Sequence, residues 1–122
     1  MLLDIIIPQY SENEYVIKNL LDSISNQKNI DFNLINVTIV NDASNVILSN
    51  EFLLNYQKLN IAYIINDKNT GPGLARQKGI DNTDNKYIMF CDADDELIDD
   101  QVLSSIIPFL EQKNPRHPAS RT

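Results

Sequence analysis

The sequence predicts an α/β fold in which a parallel sheet of about four strands carries helices on both faces. Four short apolar runs, rich in β-branched residues, have the length and composition of buried strands. These runs are residues 2–8, 34–40, 61–65 and 87–91. Helical patterns separate them, and short strands that alternate with helices form parallel sheets with right-handed crossovers.

The first strand, residues 2–8, is an Ile-rich run that Pro8 closes. A helix is predicted next, over about residues 12–27, because apolar side chains recur there at intervals of three and four. These side chains are Val16, Ile17, Leu20, Leu21 and Ile24. Ser11 and Glu14 have the spacing of a capping box, so we expect Ser11 to cap this helix.

The second strand, residues 34–40, runs into the small polar residues 41–44, which predict a turn. A weaker helical pattern covers about residues 46–59. The third strand, residues 61–65, leads into a loop over residues 66–73 that is rich in Asn, Asp and Gly.

A short helix is predicted over about residues 73–81, followed by the fourth strand, residues 87–91. The last predicted helix covers about residues 101–112 and is expected to be disturbed at Pro108, which lacks a backbone donor. Residues 114–122 hold two prolines and almost no apolar side chain. We therefore expect one packed unit, residues 1–113, and a flexible tail that is either a native linker or a non-native addition.

Composition narrows the classes of function. A net charge of −7 argues against nucleic acid or an anionic membrane as a partner, since phosphate contacts need clustered Lys and Arg. A phosphorylated ligand would need a metal ion to reconcile the charges. The single cysteine, Cys91, allows no internal disulfide, and no membrane segment or secretion leader is recognisable. We expect a cytoplasmic protein.

The run of residues 87–95 ends a predicted strand in three acids, Asp92, Asp94 and Asp95. Carboxylates repel each other by roughly 4 kcal/mol per pair at 4 Å in an effective dielectric of about 20. A divalent cation that holds a phosphate is therefore the first hypothesis. The alternative is a solvated acidic loop before the last helix, where acids are also favourable.

Ligands of open parallel sheets lie outside the carboxyl ends of the strands. Pro8 and Tyr10 follow the first strand, Asp42 follows the second, and the acids beginning at Asp92 follow the fourth. If the first and fourth strands are neighbours, an aromatic ring, a lone carboxylate and a carboxylate cluster surround one crevice. These groups suit a base, a ribose and a metal-bound diphosphate.

Four phrases of the sequence resemble the motifs of the family 2 glycosyltransferases. DIIIPQYSENEYVIKNLLDSI is similar to the opening of that family, and VNDAS is similar to its VDDGS. NTGPGLARQKGI resembles NxGxxxARNxGI, and FCDADD resembles LDSDD. The four motifs occur in the family's order and cover the chain up to about residue 100.

The resemblance implies a GT-A fold, with a Rossmann-like sheet in the strand order 3-2-1-4. Residues 1–113 would be its nucleotide-sugar-binding half. The implied donor is a nucleoside-diphosphate sugar, a UDP-sugar first, with Mn²⁺ or Mg²⁺ as cofactor and a saccharide or polysaccharide as acceptor. Hard cations of this kind take oxygen ligands, often only one or two carboxylates.

The resemblance also assigns roles to residues. The Pro8 backbone and the Tyr10 ring would embrace the base, and Asp42 would accept a hydrogen bond from the edge of the base. Arg76 would lie over the base or near the diphosphate. In the acidic motif, Asp92 would lie near the ribose, and Asp94, helped by Asp95, would bind the metal.

The chain departs from the family pattern at Ser11, Asn41, Ala43 and Gln77, which leaves the base and sugar preference open. The family's catalytic domain continues for about another hundred residues with the acceptor site and the general base. Inverting transfer needs a carboxylate within about 3 Å of the acceptor hydroxyl, and we assign none here. We expect the isolated chain to bind donor, to be inactive in transfer, and to self-associate through exposed apolar surface.

Each residue also has a plain structural interpretation. Asp42 could form a local Asx-turn, Tyr10 could pack beside the first helix, and Arg76 could be a surface residue. Gly71 and Gly73 would serve as backbone devices for a positive φ and a helix start.

Other functional classes fit less well. A haloacid-dehalogenase-type phosphatase would have Thr or Val where Glu96 stands, and an EF-hand would have Gly where Leu97 stands. A dinucleotide fingerprint that begins at Gly71 and Gly73 fails at Arg76. A non-catalytic nucleotide-binding or regulatory module remains the alternative to a transferase.

Overall fold

The protein, described over residues 2–113 by a computed structural model, has four parallel strands in one sheet. The strands are β1 (Leu3–Gln9), β2 (Ile35–Asn41), β3 (Asn60–Ile65) and β4 (Tyr87–Phe90). They lie in the order β3-β2-β1-β4, and every neighbouring pair is parallel. The predicted α/β fold and strand order 3-2-1-4 are thereby confirmed, while the tail predicted over residues 114–122 lies outside the described residues.

Four helices connect and cover the strands. They are α1 (Glu14–Ser25), α2 (Asn50–Leu53), α3 (Pro72–Asp81) and α4 (Val102–Lys113). Two 3₁₀ turns, at Phe32–Leu34 and Leu54–Tyr56, complete the pattern. Pro108, where a disturbance was predicted, lies inside α4, and the helix continues beyond it to Lys113. Within residues 2–113, no helix combines the length and apolar character needed to cross a bilayer.

The two faces of the sheet are packed differently. Alternate β1 residues, Leu3, Ile5 and Ile7, belong to the main core together with buried side chains of α1 and α4. The helical members are Ile17, Leu20, Leu21, Ile24, Leu103 and Ile107. On the other face α3 approaches closely, because Gly79 leaves room for Ile6 of β1. Helices therefore cover both faces, as the alternation of elements predicts.

The predicted cap of the first helix is wrong. The helix begins at Glu14, and Asn13 is its N-cap instead of Ser11. The side chain of Glu12 accepts a hydrogen bond of 2.9 Å from the backbone N–H of Tyr10. This bond keeps the residues after β1 in a turn, so the helix starts two residues later than predicted.

The helix predicted over residues 46–59 is wrong in extent, because only α2 and the second 3₁₀ turn form there. Side chains from the ends of two strands hold the backbone before α2 outside a helix. The carbonyl of Val46 accepts hydrogen bonds from Gln9 Nε2 at 2.9 Å and from Asn41 Nδ2 at 3.1 Å. These bonds outweigh a weak helical pattern because they satisfy the backbone carbonyl in another conformation.

Candidate nucleotide-binding site

A cavity of about 380 Å³ opens where the carboxyl ends of β1, β2 and β4 meet the start of α3. Six of the seven residues predicted from the sequence line it: Pro8, Tyr10, Asp42, Arg76, Asp92 and Asp94. The seventh, Asp95, belongs to the acidic cluster beside the cavity. They come together because the ends of parallel strands share one edge of the sheet.

Gln9, which the sequence interpretation did not single out, fixes the end of β1. Its side chain is 1% exposed, and its amide group both donates and accepts hydrogen bonds. Nε2 donates to the carbonyl of Glu12 at 2.8 Å and to that of Val46, while Oε1 accepts from the hydroxyl of Tyr63 at 2.9 Å. The neighbouring Tyr10 is left half exposed at the cavity. Because the predicted first strand ends at Pro8, no signal in the sequence marked Gln9 as an inward residue of it.

Asn41 ends β2 where the family pattern has an acid, and its amide group both donates and accepts hydrogen bonds there. Nδ2 donates to the carbonyl of Val46 and to the hydroxyl of Tyr63, both at 3.1 Å. Oδ1 accepts from the backbone N–H of Ser44 at 2.9 Å. An ionised carboxylate could not make the two donations, since it only accepts. Tyr63 also accepts from the backbone N–H of Leu48 at 3.1 Å.

Asp42 is buried and ties the loop before α3 to the end of β2. Oδ1 accepts from Asn66 Nδ2 at 3.3 Å, from Thr70 N at 2.9 Å and from Thr70 Oγ1 at 2.8 Å. Oδ2 accepts from Gly71 N at 2.8 Å. The partners lie 24 to 29 residues away, which excludes a purely local Asx-turn.

The electrostatic state of Asp42 follows from these contacts. Burial would raise the pKa of its carboxyl group, but the hydrogen bonds from Thr70, Asn66 and Gly71 outweigh burial. The pKa therefore lies below the ordinary value of 3.8. Asp42 is an ionised acceptor at neutral pH.

The start of α3 depends on Gly71, whose backbone φ of +85° is one that residues with a Cβ rarely adopt. Pro72 occupies the first helical turn, where its missing N–H has no cost. Gly73 has no such backbone requirement, and a Cβ placed there would meet nothing within 4 Å. Of the two predicted backbone devices, only Gly71 has a positive φ.

Arg76 reaches from α3 toward the acidic end of β4. Its Nη2 lies 3.2 Å from Asp92 Oδ1, and its guanidinium carbon lies 5.9 Å from the centre of the Phe90 ring. The ion pair and the ring contact place the guanidinium group between the strand end and the cavity. Arg76 is therefore placed to face an anion in the cavity.

Asp92, Asp94 and Asp95 are exposed, and each can bring one oxygen within 4.8 Å of the others. The backbone N–H of Asp95 donates to the carbonyl of Asp92 at 3.0 Å, which closes a turn. Ala93 is buried in this turn, while the three carboxylates remain outside. An all-oxygen donor set of this kind fits Mg²⁺ or Mn²⁺.

Cys91, directly before this turn, does not fit the metal. Burial and the charges of Asp95 and Asp92 raise the pKa of its thiol to about 11. The thiolate, which is the form that binds metals, is therefore scarce at neutral pH. Its burial agrees with the predicted core position.

The sequence model of glycosyl transferase family 2 matches residues 4–118. The chain belongs to this family. The teichoic acid poly(glycerol phosphate) polymerase of Staphylococcus epidermidis is 43% identical over 98 residues, which are 78% of this chain and 13% of that protein. The succinoglycan biosynthesis protein ExoW of Rhizobium meliloti is 29% identical over 106 residues, 84% of this chain and 32% of that protein.

Solved structures share the fold of this family 2 chain. S. aureus TarS 1-349 in complex with UDP has a TM-score of 0.78 and 26% identity, with 92% of this chain and 32% of that chain covered. Its complex with UDP-GlcNAc gives a TM-score of 0.76. The mannosyltransferase PcManGT from Pyrobaculum calidifontis, at 18% identity and a TM-score of 0.74, matches in fold alone.

These matches confirm the GT-A architecture and the resemblance drawn from the four motifs. The chain spans between 13% and 33% of the length of the relatives and solved structures that it matches.

Proposed function

We propose that this chain binds a nucleoside-diphosphate sugar, a UDP-sugar first, together with Mn²⁺ or Mg²⁺. The observation that carries the proposal is that the side chains of Tyr10, Asp42 and Asp94 all line the same cavity. An aromatic ring, a hydrogen-bond acceptor and an oxygen-rich cation site match the three parts of such a ligand. Support comes also from TarS, a relative in fold and sequence whose structures include UDP and UDP-GlcNAc.

At the base end, Tyr10 and the Pro8 backbone flank the base. Tyr10 is half exposed at the cavity, so its ring can stack on a flat ligand without moving out of a core. Asp42 offers its Oδ2, which has Gly71 N as its single donor among residues 2–113, whereas Oδ1 already has three donors. We expect Oδ2 to accept a hydrogen bond from an N–H on the base edge.

At the diphosphate end, Asp94, helped by Asp95, holds the cation, and Asp92 lies near the ribose. The bound cation supplies the positive charge that stabilises a leaving diphosphate. Arg76 adds a fixed guanidinium, which suits phosphate oxygens because its donors form a planar fork.

For the whole protein we propose inverting glycosyl transfer to a saccharide hydroxyl. We assign no general base to the described residues, so the isolated chain is expected to bind donor without transferring the sugar. Metal dependence belongs to donor binding and can be tested on this chain without an acceptor.

The test is calorimetric and thermal titration of the chain with UDP, GDP and ADP, with Mn²⁺ or with EDTA. UDP with Mn²⁺ at a hundredfold excess over its dissociation constant should add about 2.7 kcal/mol to the free energy of unfolding. Asp94→Asn should abolish the Mn²⁺ dependence and leave the melting temperature of the free protein unchanged, since Asp94 is exposed.

Asp84→Asn is the matched control, because it removes the same charge from an exposed position outside the cavity. Equal Mn²⁺ dependence in the two variants would place the cation elsewhere. Melting curves that do not respond to any nucleotide or metal would contradict the proposed function.

A further inference from the structure

The acidic turn, residues 92–95, has a hydrogen bond to the rest of the protein on each side, and we call these two bonds its anchors. Before it, the backbone N–H of Cys91 donates to the carbonyl of Ile6 at 3.1 Å, which continues the sheet. After it, the backbone N–H of Leu97 donates to Ser23 Oγ of α1 at 2.9 Å. One anchor is backbone, and the other is a side chain 74 residues away in sequence.

The hydroxyl of Ser23 has a fixed orientation. It donates to the carbonyl of Leu20 in its own helix at 2.7 Å, so its proton is committed and its lone pair faces Leu97. The anchor therefore depends on this oxygen. Removal of the hydroxyl would leave the N–H of Leu97 without its partner.

Gln27, just beyond α1, extends the same connection. It is only 4% exposed, and its Nε2 donates to the carbonyl of Asp99 at 2.6 Å and to that of Ser23 at 3.1 Å. Its Oε1 accepts from the backbone N–H of Leu103 at 2.9 Å. A buried amide with all these bonds joins the end of α1 to the segment after the acidic turn and to the first turn of α4.

We propose that Ser23 and Gln27 are positioning residues for the metal and diphosphate site. Neither lines the cavity. They act through Leu97 and Asp99, which hold the downstream end of the acidic turn and so keep its carboxylates convergent. This inference rests on the proposed function, because the turn needs a fixed shape only if it binds a cation.

The physical basis is the cost of ordering a loop. A cation that binds a preformed set of carboxylates loses less free energy than one that must first order them. Groups that hydrogen-bond to metal ligands typically change metal affinity about ten- to a hundredfold. Ser23 and Gln27 act through Leu97 and Asp99, so we expect the lower end of that range.

The variants are chosen to keep the fold. Ser23→Ala removes the acceptor for Leu97 and introduces a residue of high helix propensity. Gln27→Met keeps the length of the side chain and removes its bonds to Asp99, Ser23 and Leu103 without burying a charge. In both, UDP affinity in Mn²⁺ should fall about tenfold, while UDP affinity in EDTA should stay unchanged because the base end of the cavity is untouched.

Ser105→Ala is the matched control, since the Ser105 hydroxyl bonds only the carbonyl of Gln101 near its own helix, at 2.8 Å. Ser23→Thr, which retains a hydroxyl, should restore the Mn²⁺-dependent affinity. Hydrogen exchange without ligand should be faster at the amides of residues 97–103 in Ser23→Ala than in Ser105→Ala.

The outcomes separate the two ideas. If the wild type binds UDP with Mn²⁺ and Ser23→Ala binds it equally well, the positioning role is wrong. An equal loss in Mn²⁺ and in EDTA would also contradict it, since that pattern indicates a general structural effect. A wild type without Mn²⁺-dependent binding would contradict the proposed function itself.

Discussion

Two buried aspartates of this chain have different surroundings. Asp4, the second residue of β1, is fully buried and accepts from Thr38 Oγ1 at 2.9 Å and from Asn36 Nδ2 at 3.1 Å. Asp42 lines the cavity and has four donors from a loop distant in sequence. The first carboxylate is satisfied inside the sheet, whereas the second gives the candidate site its shape. We therefore expect a substitution of Asp42, but not one of Asp4, to act directly on ligand binding.

The charge of Asp42 should be visible in the pH dependence of stability. Its pKa in the folded protein is below the unfolded value of about 3.8, so its contribution is fully present above that pH. The contribution is lost as pH falls through the lowered folded pKa. Asp42→Asn should therefore reduce the free energy of unfolding by about 1–3 kcal/mol at pH 7, and the deficit should shrink toward pH 3.

Urea unfolding of both proteins at pH 7, 5 and 3 measures this deficit. A deficit that stays constant across this range would mean that the charge of Asp42 is not its source. Weaker UDP binding by Asp42→Asn at pH 7 should accompany the loss of stability.

At the scale of elements, the contact between α3 and β1 sets where Gly71 and Arg76 lie. A Cβ at Gly79 would stand 2.6 Å from Ile6 Cγ2, closer than such atoms approach. Ile6 is fully buried and cannot swing away. The helix can approach the sheet this closely because it has a glycine at that position.

Gly79→Ala should lower the free energy of unfolding by about 1–3 kcal/mol, the usual cost of overpacking. It should also weaken UDP binding, because α3 must shift. Gly73→Ala, in the same helix with nothing within 4 Å, is the control and should stabilise by up to about 1 kcal/mol. Thermal unfolding compares the two, and equal melting temperatures would show that α3 is not tightly packed there.

Elements with a strong local signal were predictable, and elements shaped by distant side chains were not. The four strands lie close to their predicted ranges because each is a compact apolar run. The helix predicted around α2 was too long, because the side chains of Gln9 and Asn41 donate to the carbonyl of Val46. Nothing in the residues near Val46 reports these partners.

In the candidate site, too, some features were predictable from the sequence and others were not. Tyr10 and Asp94 could be selected because strand ends and recognisable motifs mark them. The bond from Thr70 to Asp42 spans 28 residues, and the bond from Leu97 to Ser23 spans 74. Such pairings depend on the folded geometry, so the sequence alone does not reveal them.

At the scale of the whole molecule, β4 has one neighbour, β1, in the part of the chain that the structure describes. The backbone N–H of Tyr87 donates to the carbonyl of Leu2, just before β1, and that of Cys91 donates to the carbonyl of Ile6, each at 3.1 Å. By the alternation of strand donors, those of Ile88 and Phe90 face the open edge. Unpaired strand edges favour pairing with another copy.

We predict concentration-dependent self-association of the isolated chain through this edge. Ile88→Pro should reduce it, because it removes a donor on the open side and spares the bonds to β1. Met89→Pro, on the paired side, should unfold the protein instead. Sedimentation velocity over a concentration series measures association, and a wild type that stays monomeric at all concentrations would contradict the prediction.

The cavity's side chains also affect the order in which ligands arrive. Among the described residues that line it, Arg76 is the only lysine or arginine, beside the four acids Glu12, Asp42, Asp92 and Asp94. A free nucleotide diphosphate approaches against this field, which salt screens over roughly 8 Å at physiological ionic strength. A nucleotide already complexed with a divalent cation meets much less repulsion. Under the proposed function, association kinetics would therefore favour capture of the complexed nucleotide, and the cation would contribute to the encounter before it contributes to affinity.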